Sequence, residues 1–210
     1  MTKWAAPFVL VLCGNKMESF EKLLEESTRV HGHICAGQVI GVRMARHALS
    51  CIGIQDPKGK DRKKIYVVVE IDRCATDAIQ SVTGCSLGKR SMRWVDFGVM
   101  AATFLNLETG KAVRVVAKEE ARELAERYFP EIVDKYKRQL EAYKAMPLDE
   151  LFVVQAVHFK PDECDLPGRP LRRVQCCQCG DWVQDCREVV QPDQTICKAC
   201  AGQRYYQILP

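Results

Sequence analysis

The chain has 210 residues, of which 47% are hydrophobic and 28% are charged, and its formal net charge is +4 at pH 7. These values exclude an intrinsically disordered chain and allow one full-sized domain with a small appended one. From residue 161 onward the chain carries six basic and seven acidic side chains. The C-terminal part therefore lacks the basic stripe that is typical of a nucleic-acid-binding module.

The first predicted element is an apolar segment from Trp4 to Cys13. It has a single preceding lysine and no clear small-x-small cleavage site, and it is too short to span a bilayer. We interpret it as a short leading strand or extension, and we expect no membrane association. Translation could begin at Met1 or at Met17, which immediately precedes a predicted helix. Several of the twelve cysteines form C-x-x-C pairs or lie beside histidines, which favours metal or thiol chemistry in a reducing, cytoplasmic compartment.

Helices and strands follow one another through residues 1–160 without strict β-α-β alternation. This order predicts an α+β fold with a mixed or antiparallel sheet packed with helices. Apolar periodicity and β-branched runs predict helices over 17–30, 35–51 and 76–82, strands over 65–71, 94–97, 101–107 and 112–117, helices over 118–128 and 130–145, and a strand over 151–159. Residues 161–173 contain three prolines and a glycine, and we expect them to link the α+β domain to a second domain over 174–210.

Two C-x-x-C pairs lie in the second domain, at Cys176 and Cys179 and at Cys197 and Cys200. Each pair offers two thiolates from one tight turn, so two such turns complete the tetrahedral coordination of a zinc ion. The spacing is typical of a four-cysteine site in a zinc ribbon or treble clef. No coordination position stays open, so this zinc is expected to be structural. We disfavour a redox dithiol or plain core cysteines, because the tail has few large apolar residues.

Two histidines and a cysteine, His31, His33 and Cys35, are concentrated between the first two predicted helices. Cys35 is expected at the N-terminus of the second helix, where unpaired amides stabilise a thiolate. Cys74 has a parallel position before the next helix. With Cys85 nearby, these side chains would form a nitrogen and sulfur metal site or a reactive thiol centre. The alternative is a structural loop, because the spacing matches no closed zinc motif.

Two longer motifs contain these residues. The run H-G-H-I-C-A-G-Q-V-I-G-V-R extends from His31 to Arg43, and D-x-C-x-x-D-A-I-Q-x-x-T-G-C-x-x-G-K extends from Asp72 to Lys89. Together with D-x-G at residues 96–98 and the C-terminal C-x-x-C-G, they resemble the signature of FmdE, the family named for formylmethanofuran dehydrogenase. Ala36 departs from the pattern, because the family commonly has proline there.

The resemblance implies an α+β domain that forms a homodimer, a pocket that can hold a metal, and a zinc-finger tail. It also implies association with a molybdenum or tungsten formyl dehydrogenase of one-carbon metabolism. The pocket residues that carry over by motif position are His31, His33, Cys35, Gln38, Asp72, Cys74, Asp77, Gln80 and Cys85.

The first functional hypothesis is an accessory metalloprotein of this family, with zinc in the tail and a second transition metal at His33, Cys35 and Cys74. If the protein is an enzyme, we expect metal- or thiolate-assisted chemistry on a small carbonyl or one-carbon compound. Cys35 or Cys74 would then be the nucleophile or metal ligand, and Asp72 or His31 the proton carrier. The second hypothesis is a non-enzymatic zinc-ribbon adaptor that docks a protein partner. The slightly acidic tail argues against nucleic acid as that partner.

Overall fold

The computed structural model describes residues 17–209 and divides the chain into two compact units. The first unit comprises the chain up to Leu87 together with Met92–Phe159, and the second comprises Gly88–Ser91 and the residues from Lys160 onward. The predicted segment from Trp4 to Cys13 lies outside the described residues.

The first unit contains helices and a single sheet. Its helices are α1 (Phe20–His31), α2 (Ala36–Cys51), α3 (Cys74–Thr83), α4 (Ala121–Tyr128), α5 (Lys135–Ala145) and α6 (Leu148–Leu151). Its strands are β1 (Ile65–Val69), β2 (Met92–Trp94), β3 (Ala101–Asn106), β4 (Ala112–Ala117) and β5 (Phe152–Ala156). The strand order is β2-β1-β3-β4-β5, with β1 and β2 parallel and the other neighbours antiparallel. The predicted α+β fold with a mixed sheet is confirmed.

The main core lies between the helices and one face of this sheet. Ile65, Val67 and Val69 of β1 alternate towards the helices and are at most 1% exposed. They belong to the same buried cluster as Val39 of α2 and Ile79 of α3. Burying each such side chain contributes roughly 1.5–3 kcal/mol to folding. The packing of α2 and α3 on the sheet therefore fixes where the two helices begin, and both helices begin at a cysteine of the predicted pocket.

Two predicted elements differ at their ends. The helix predicted over 130–145 begins at Lys135, because the Asp134 side chain accepts a hydrogen bond from the Lys137 amide at 2.7 Å and caps the helix there. The strand predicted over 151–159 ends at Ala156, and its first residue belongs to the short helix α6. Pro130 thus lies before the helix and not in its first turn.

The second unit is built of two small hairpins. Strands β6 (Arg173–Gln175) and β7 (Trp182–Gln184) pair antiparallel, as do β8 (Val189–Gln191) and β9 (Gln194–Ile196). A single turn of 3-10 helix, Glu163–Asp165, precedes them. One C-x-x-C pair directly follows β6 and the other directly follows β9, so each pair lies in the turn after a strand.

Candidate metal centres

The turn between α1 and α2 brings His31, His33 and Cys35 together. Gly32 ends α1 with φ of 94°, a left-handed conformation that a residue with a side chain adopts only with strain. The chain reverses there, and one ligand atom from each of the three side chains lies within 4.8 Å of the others. The two imidazole rings are 4.6 Å apart between centroids. Two ring nitrogens and one sulfur at this separation form a group that could hold a metal ion.

His31 is held in the orientation of a metal ligand by a residue of α3. Its Nδ1 lies 2.7 Å from Oδ2 of Asp77, and its Nε2 is buried with no hydrogen-bond partner. The carboxylate accepts the proton of Nδ1, which leaves the lone pair on Nε2. Metal-binding histidines commonly have this carboxylate on the nitrogen away from the metal. An unpartnered buried acceptor is costly, and a metal ion would satisfy it.

Cys74 lies beside Cys35 at the adjoining ends of α2 and α3. Cys35 is the N-cap of α2, and Cys74 is the first residue of α3. Burial raises the pKa of the Cys74 thiol, and a hydrogen bond and the charge of Cys35 raise that pKa further. The cluster of mutually close ligand atoms contains His31, His33 and Cys35, and Cys74 is not a member of it. The hypothesis that grouped Cys74 with His33 and Cys35 therefore lacked the His31 ligand.

Gln38 ties the start of α2 to both neighbouring helices. It has no exposed surface, and its Nε2 donates to the carbonyl oxygen of Cys74 at 2.6 Å. Its Oε1 accepts a hydrogen bond from the hydroxyl of Ser27, which is also buried. The side chain is therefore placed to fix the backbone at Cys74 and not to contact a ligand.

Glycines allow α2 and α3 to approach each other. A Cβ added at Gly41 would lie 2.4 Å from the Ala75 carbonyl oxygen and 2.6 Å from Ala78 Cβ. A Cβ at Gly37 would lie 2.9 Å from Cys74 Cβ and 3.7 Å from Cys35 Sγ. Only glycine fits at these two positions without moving α3.

The remaining predicted pocket residues do not join this cluster. Asp72 and Gln80 are exposed, Asp72 before α3 and Gln80 in its last turn. Cys85 follows the C-terminus of α3, about 15 Å from Cys74 at 1.5 Å per residue. Its thiol is 1% exposed and donates to the carbonyl oxygen of Ile65 at 3.7 Å. The expectation that Cys85 lies near Cys74 is therefore wrong: the ten-residue helix separates them.

The second group that could hold a metal ion is made of Cys176, Cys179, Cys197 and Cys200, with one sulfur of each within 4.8 Å of the others. The sulfurs of Cys179 and Cys197 are 3.8 Å apart, and the Cys200 amide donates to Cys197 Sγ at 3.4 Å. Gly180 has φ of 80° directly after the first pair, and its amide donates to the Cys176 carbonyl at 3.0 Å. This is the geometry of a turn that points two sulfurs at one ion.

The four thiols have divergent acidities. Backbone amides of Cys179, Cys197 and Gln178 hydrogen-bond to Cys176 and lower its pKa to about 6. For Cys179, a backbone hydrogen bond from Asp181 lowers the pKa, but burial and hydrogen bonds to the other sulfurs outweigh it and raise the pKa to about 12. Sulfurs this close cannot all ionise without a cation among them. A bound dication would remove that conflict.

A disulfide between Cys164 and Cys186 also lies in the second unit, with the two Cα atoms 6.1 Å apart. Around it, Arg90 donates to the Asp185 carboxylate, and Arg187 donates to Asp165. The 22-residue separation between the two cysteines belongs to no metal or redox motif, so no signal in the sequence pairs them. Only the folding of the linker against the β7–β8 turn brings them together.

Comparisons with known proteins agree with this architecture. The chain is 28% identical over 211 residues to a protein of Archaeoglobus fulgidus described as a probable S-adenosyl-L-methionine-binding protein. That match covers 91% of this chain and 56% of the relative, so the chain spans about half the length of the curated relative it matches.

The fold is that of an FmdE-like protein of the tungsten formylmethanofuran dehydrogenase from Syntrophus aciditrophicus, whose crystal structure matches with a TM-score of 0.61 at 21% identity. The match covers 93% of this chain and all of that one. None of the described helices is both long enough and apolar enough to cross a bilayer.

The sequence model of the family described as FmdE, molybdenum formylmethanofuran dehydrogenase operon, matches residues 30–153. This range covers more than half of the chain and contains the α1–α2 turn, α3 and nearly all of the five-stranded sheet. It begins one residue before His31, so the complete histidine and cysteine cluster falls within it. The chain belongs to the FmdE family.

Proposed function

We propose that this protein is a metal-binding accessory protein that uses His31, His33 and Cys35 to hold a transition metal, while zinc organises the four-cysteine tail. The observation that carries the proposal is the Nε2 atom of His31. It is buried and unpartnered, its ring is oriented by Asp77, and the His31 ring lies within reach of ligand atoms of the other two side chains, all within 4.8 Å of one another.

The donor set limits which metals fit. Two imidazole nitrogens and one thiolate suit zinc, copper, iron or nickel and not magnesium or calcium, which prefer oxygen. Three protein ligands leave a fourth position for water, a substrate or a group from a partner. The exposed carboxylate of Asp72, two residues before Cys74, remains the candidate proton carrier for any reaction at that position.

Metal content tests the proposal. The full chain is purified anaerobically with a reductant, and its metals are counted by elemental analysis. We expect two metal equivalents per chain, one lost in Cys35→Ala and in His33→Ala, and the other lost in Cys179→Ala. Cys51→Ala, which removes a half-buried thiol at the other end of α2, serves as the control and should retain both. A single equivalent that survives Cys35→Ala would contradict the pocket.

The physiological setting is part of the same proposal. The family is named for the molybdenum formylmethanofuran dehydrogenase operon, so we infer association with such a molybdenum or tungsten enzyme in one-carbon metabolism. The free thiols of both clusters fit a cytoplasmic compartment. We further propose a homodimer, which sedimentation of the reduced protein tests directly. Co-purification of the dehydrogenase with the tagged chain tests the partner.

One feature of the second unit favours a second candidate, a zinc-ribbon adaptor that docks a protein. Trp182 is 57% exposed on β7, and the guanidinium of Arg173 lies 5.4 Å from the centre of its ring. Exposed tryptophan and arginine are typical anchors of protein interfaces. Metal content separates the candidates, since an adaptor requires only the tail zinc. Unchanged metal content in Cys35→Ala and Cys74→Ala would favour the adaptor.

A further inference from the structure

Cys35 and Cys74 are two free thiols that the fold holds side by side. Cys35 belongs to the α1–α2 turn and Cys74 begins α3, yet their side chains hydrogen-bond to each other. The space at Gly37 is flanked by Cys74 Cβ and Cys35 Sγ, at 2.9 and 3.7 Å from where a Cβ would lie. The two thiols are therefore in direct contact across the start of α2.

The surrounding contacts keep this pair in place. The Cys74 carbonyl accepts a hydrogen bond from the buried Gln38 side chain at 2.6 Å, and α3 packs against Gly41 of α2. Both helix starts are therefore anchored in the core, and a bond between the two sulfurs would require side-chain rotation more than backbone movement. Thiols held this way form a disulfide readily, because little chain entropy is lost on closure.

The same sulfur of Cys35 is also a member of the metal-binding group with His31 and His33. A sulfur in a disulfide carries no thiolate charge and is a poor ligand. Disulfide formation and metal binding therefore compete for one atom. Cys74, which lies outside the group of mutually close ligand atoms, is available for the role of the resolving thiol.

We propose that Cys35 and Cys74 form a redox pair that closes to a disulfide under oxidising conditions and releases the metal held by His31, His33 and Cys35. This regulation rests on the proposed metal site and adds to it a control by the thiol–disulfide balance of the surroundings. The metal leaves as a cation in its original oxidation state, because the electrons come from the two sulfurs.

The oxidant is a small-molecule disulfide such as oxidised glutathione. The Cys35 thiolate attacks one glutathione sulfur, the glutathione disulfide bond breaks, and one glutathione leaves as a thiolate that takes up a proton. The Cys74 thiol then loses its proton and attacks the Cys35 sulfur of the mixed disulfide, and the second glutathione leaves. The two cysteines lose two electrons, and oxidised glutathione gains two. Reduced glutathione or another thiol reverses both steps.

The experiment follows the zinc-loaded full chain in anaerobic glutathione buffers of graded ratio. Retained zinc is measured by elemental analysis after desalting, and a Cys35–Cys74 cross-linked peptide is measured by mass spectrometry. We expect the wild type to lose its pocket zinc as the cross-linked peptide appears, and to recover it on reduction. Cys74→Ala and the conservative Cys74→Ser should bind zinc as the wild type does in reducing buffer and retain it across the series. Cys51→Ala should behave as the wild type.

Three results would overturn the inference, and they separate it from the proposed function. If the reduced wild type binds no pocket zinc, the proposed function fails and this regulation fails with it. If the wild type binds zinc but loses none on oxidation, or loses it without the Cys35–Cys74 peptide, only the redox pair is wrong. If both Cys74 variants lose zinc affinity in reducing buffer, Cys74 is a ligand and not a resolving thiol, and the metal site stands.

Discussion

His31 and Asp77 are 46 positions apart in the chain, and the first turn of α3 nevertheless places Oδ2 of Asp77 2.7 Å from Nδ1 of His31. The imidazole is largely shielded, with 13% of its side-chain surface exposed, whereas 55% of the Asp77 side chain is exposed. The carboxylate therefore remains solvated and charged, and it orients the ring from the solvent side. This contact distinguishes a histidine held for metal binding from one that fills a loop.

Removing this carboxylate should weaken the metal site. We expect Asp77→Ala to lower the zinc affinity of the pocket by about 10–100-fold, because the ring loses both its orientation and its electrostatic support. Asp77→Asn keeps a hydrogen-bond acceptor without the charge and should fall between Asp77→Ala and the wild type. Affinity is measured by competition with a chromophoric chelator in reducing buffer. Glu25→Gln, which alters an exposed carboxylate of α1, is the control, and an equal loss there would contradict the orienting role.

Gln38 should contribute to stability through its two buried hydrogen bonds. Gln38→Met keeps the approximate shape but leaves the Ser27 hydroxyl and the Cys74 carbonyl unpaired, at a cost of about 1–3 kcal/mol for each stranded group. Urea denaturation of the variant measures the free energy of unfolding. The double variant with Ser27→Ala should be less destabilised than the sum of the single variants, because it also removes the stranded hydroxyl. Strict additivity would show that the two side chains do not interact.

Gly41 should be intolerant of a side chain. Alanine would favour the helix by about 1 kcal/mol in an exposed position. Here its Cβ would meet the Ala75 carbonyl oxygen at 2.4 Å, which is backbone and cannot rotate away. We expect Gly41→Ala to lower the free energy of unfolding by roughly 1–3 kcal/mol. Ser50→Ala, at an exposed position of the same helix, serves as the control and should leave stability unchanged or slightly raised. A stabilised Gly41→Ala would show that α3 moves easily.

Zinc binding by the tail should strengthen as the pH rises. Hydrogen bonds among the sulfurs raise the pKa of Cys200, and the pKa of Cys179 is about 12, so both thiols are protonated at neutral pH in the metal-free chain. Cys176, with a pKa of about 6, is already ionised there. Zinc must displace the protons of the first two thiols, so its apparent affinity increases with pH through the neutral range.

Competition titrations at about pH 6 and about pH 8 measure this pH dependence, and proton release into a weak buffer checks it. Exhaustive chelation should also increase amide hydrogen exchange throughout β6–β9 and leave β1 and β3 protected. Equal zinc affinity at both pH values would contradict this account of the thiols. A tail that stays protected after chelation would contradict the structural role of the metal.

The Cys164–Cys186 disulfide should stabilise the second unit. Closing a loop of about this length removes roughly 3 kcal/mol of unfolded-state freedom. We expect the double variant Cys164→Ser/Cys186→Ser to be cleaved faster by protease in the linker. Cys177→Ser, which changes an exposed free thiol of the same unit, is the control. Alkylation of the zinc-loaded protein before and after reduction detects the bond, and labelling of both cysteines without a reductant would contradict it.

Much of the fold follows from local pattern. Helical periodicity predicted α1 and α2, and the expectation that α2 begins at Cys35 is confirmed, since Cys35 is its N-cap. The run from Ile65 predicted the central strand, because β-branched residues buried on both faces of a sheet need no other context. The start of α5 was missed by five residues, since a favourable proline and a capping aspartate compete within one turn, and the aspartate decides.

The candidate site divides in the same way. The spacing of His31, His33 and Cys35 within one turn, and of the C-x-x-C pairs, determines from the sequence alone which atoms can meet, because the chain between them is too short to do otherwise. The Asp77 contact, the pairing of Cys74 with Cys35 and the removal of Cys85 to the far end of α3 depend on how two helices pack. That packing is set by glycines whose effect appears only when another backbone lies against them, so only the tertiary structure decides it.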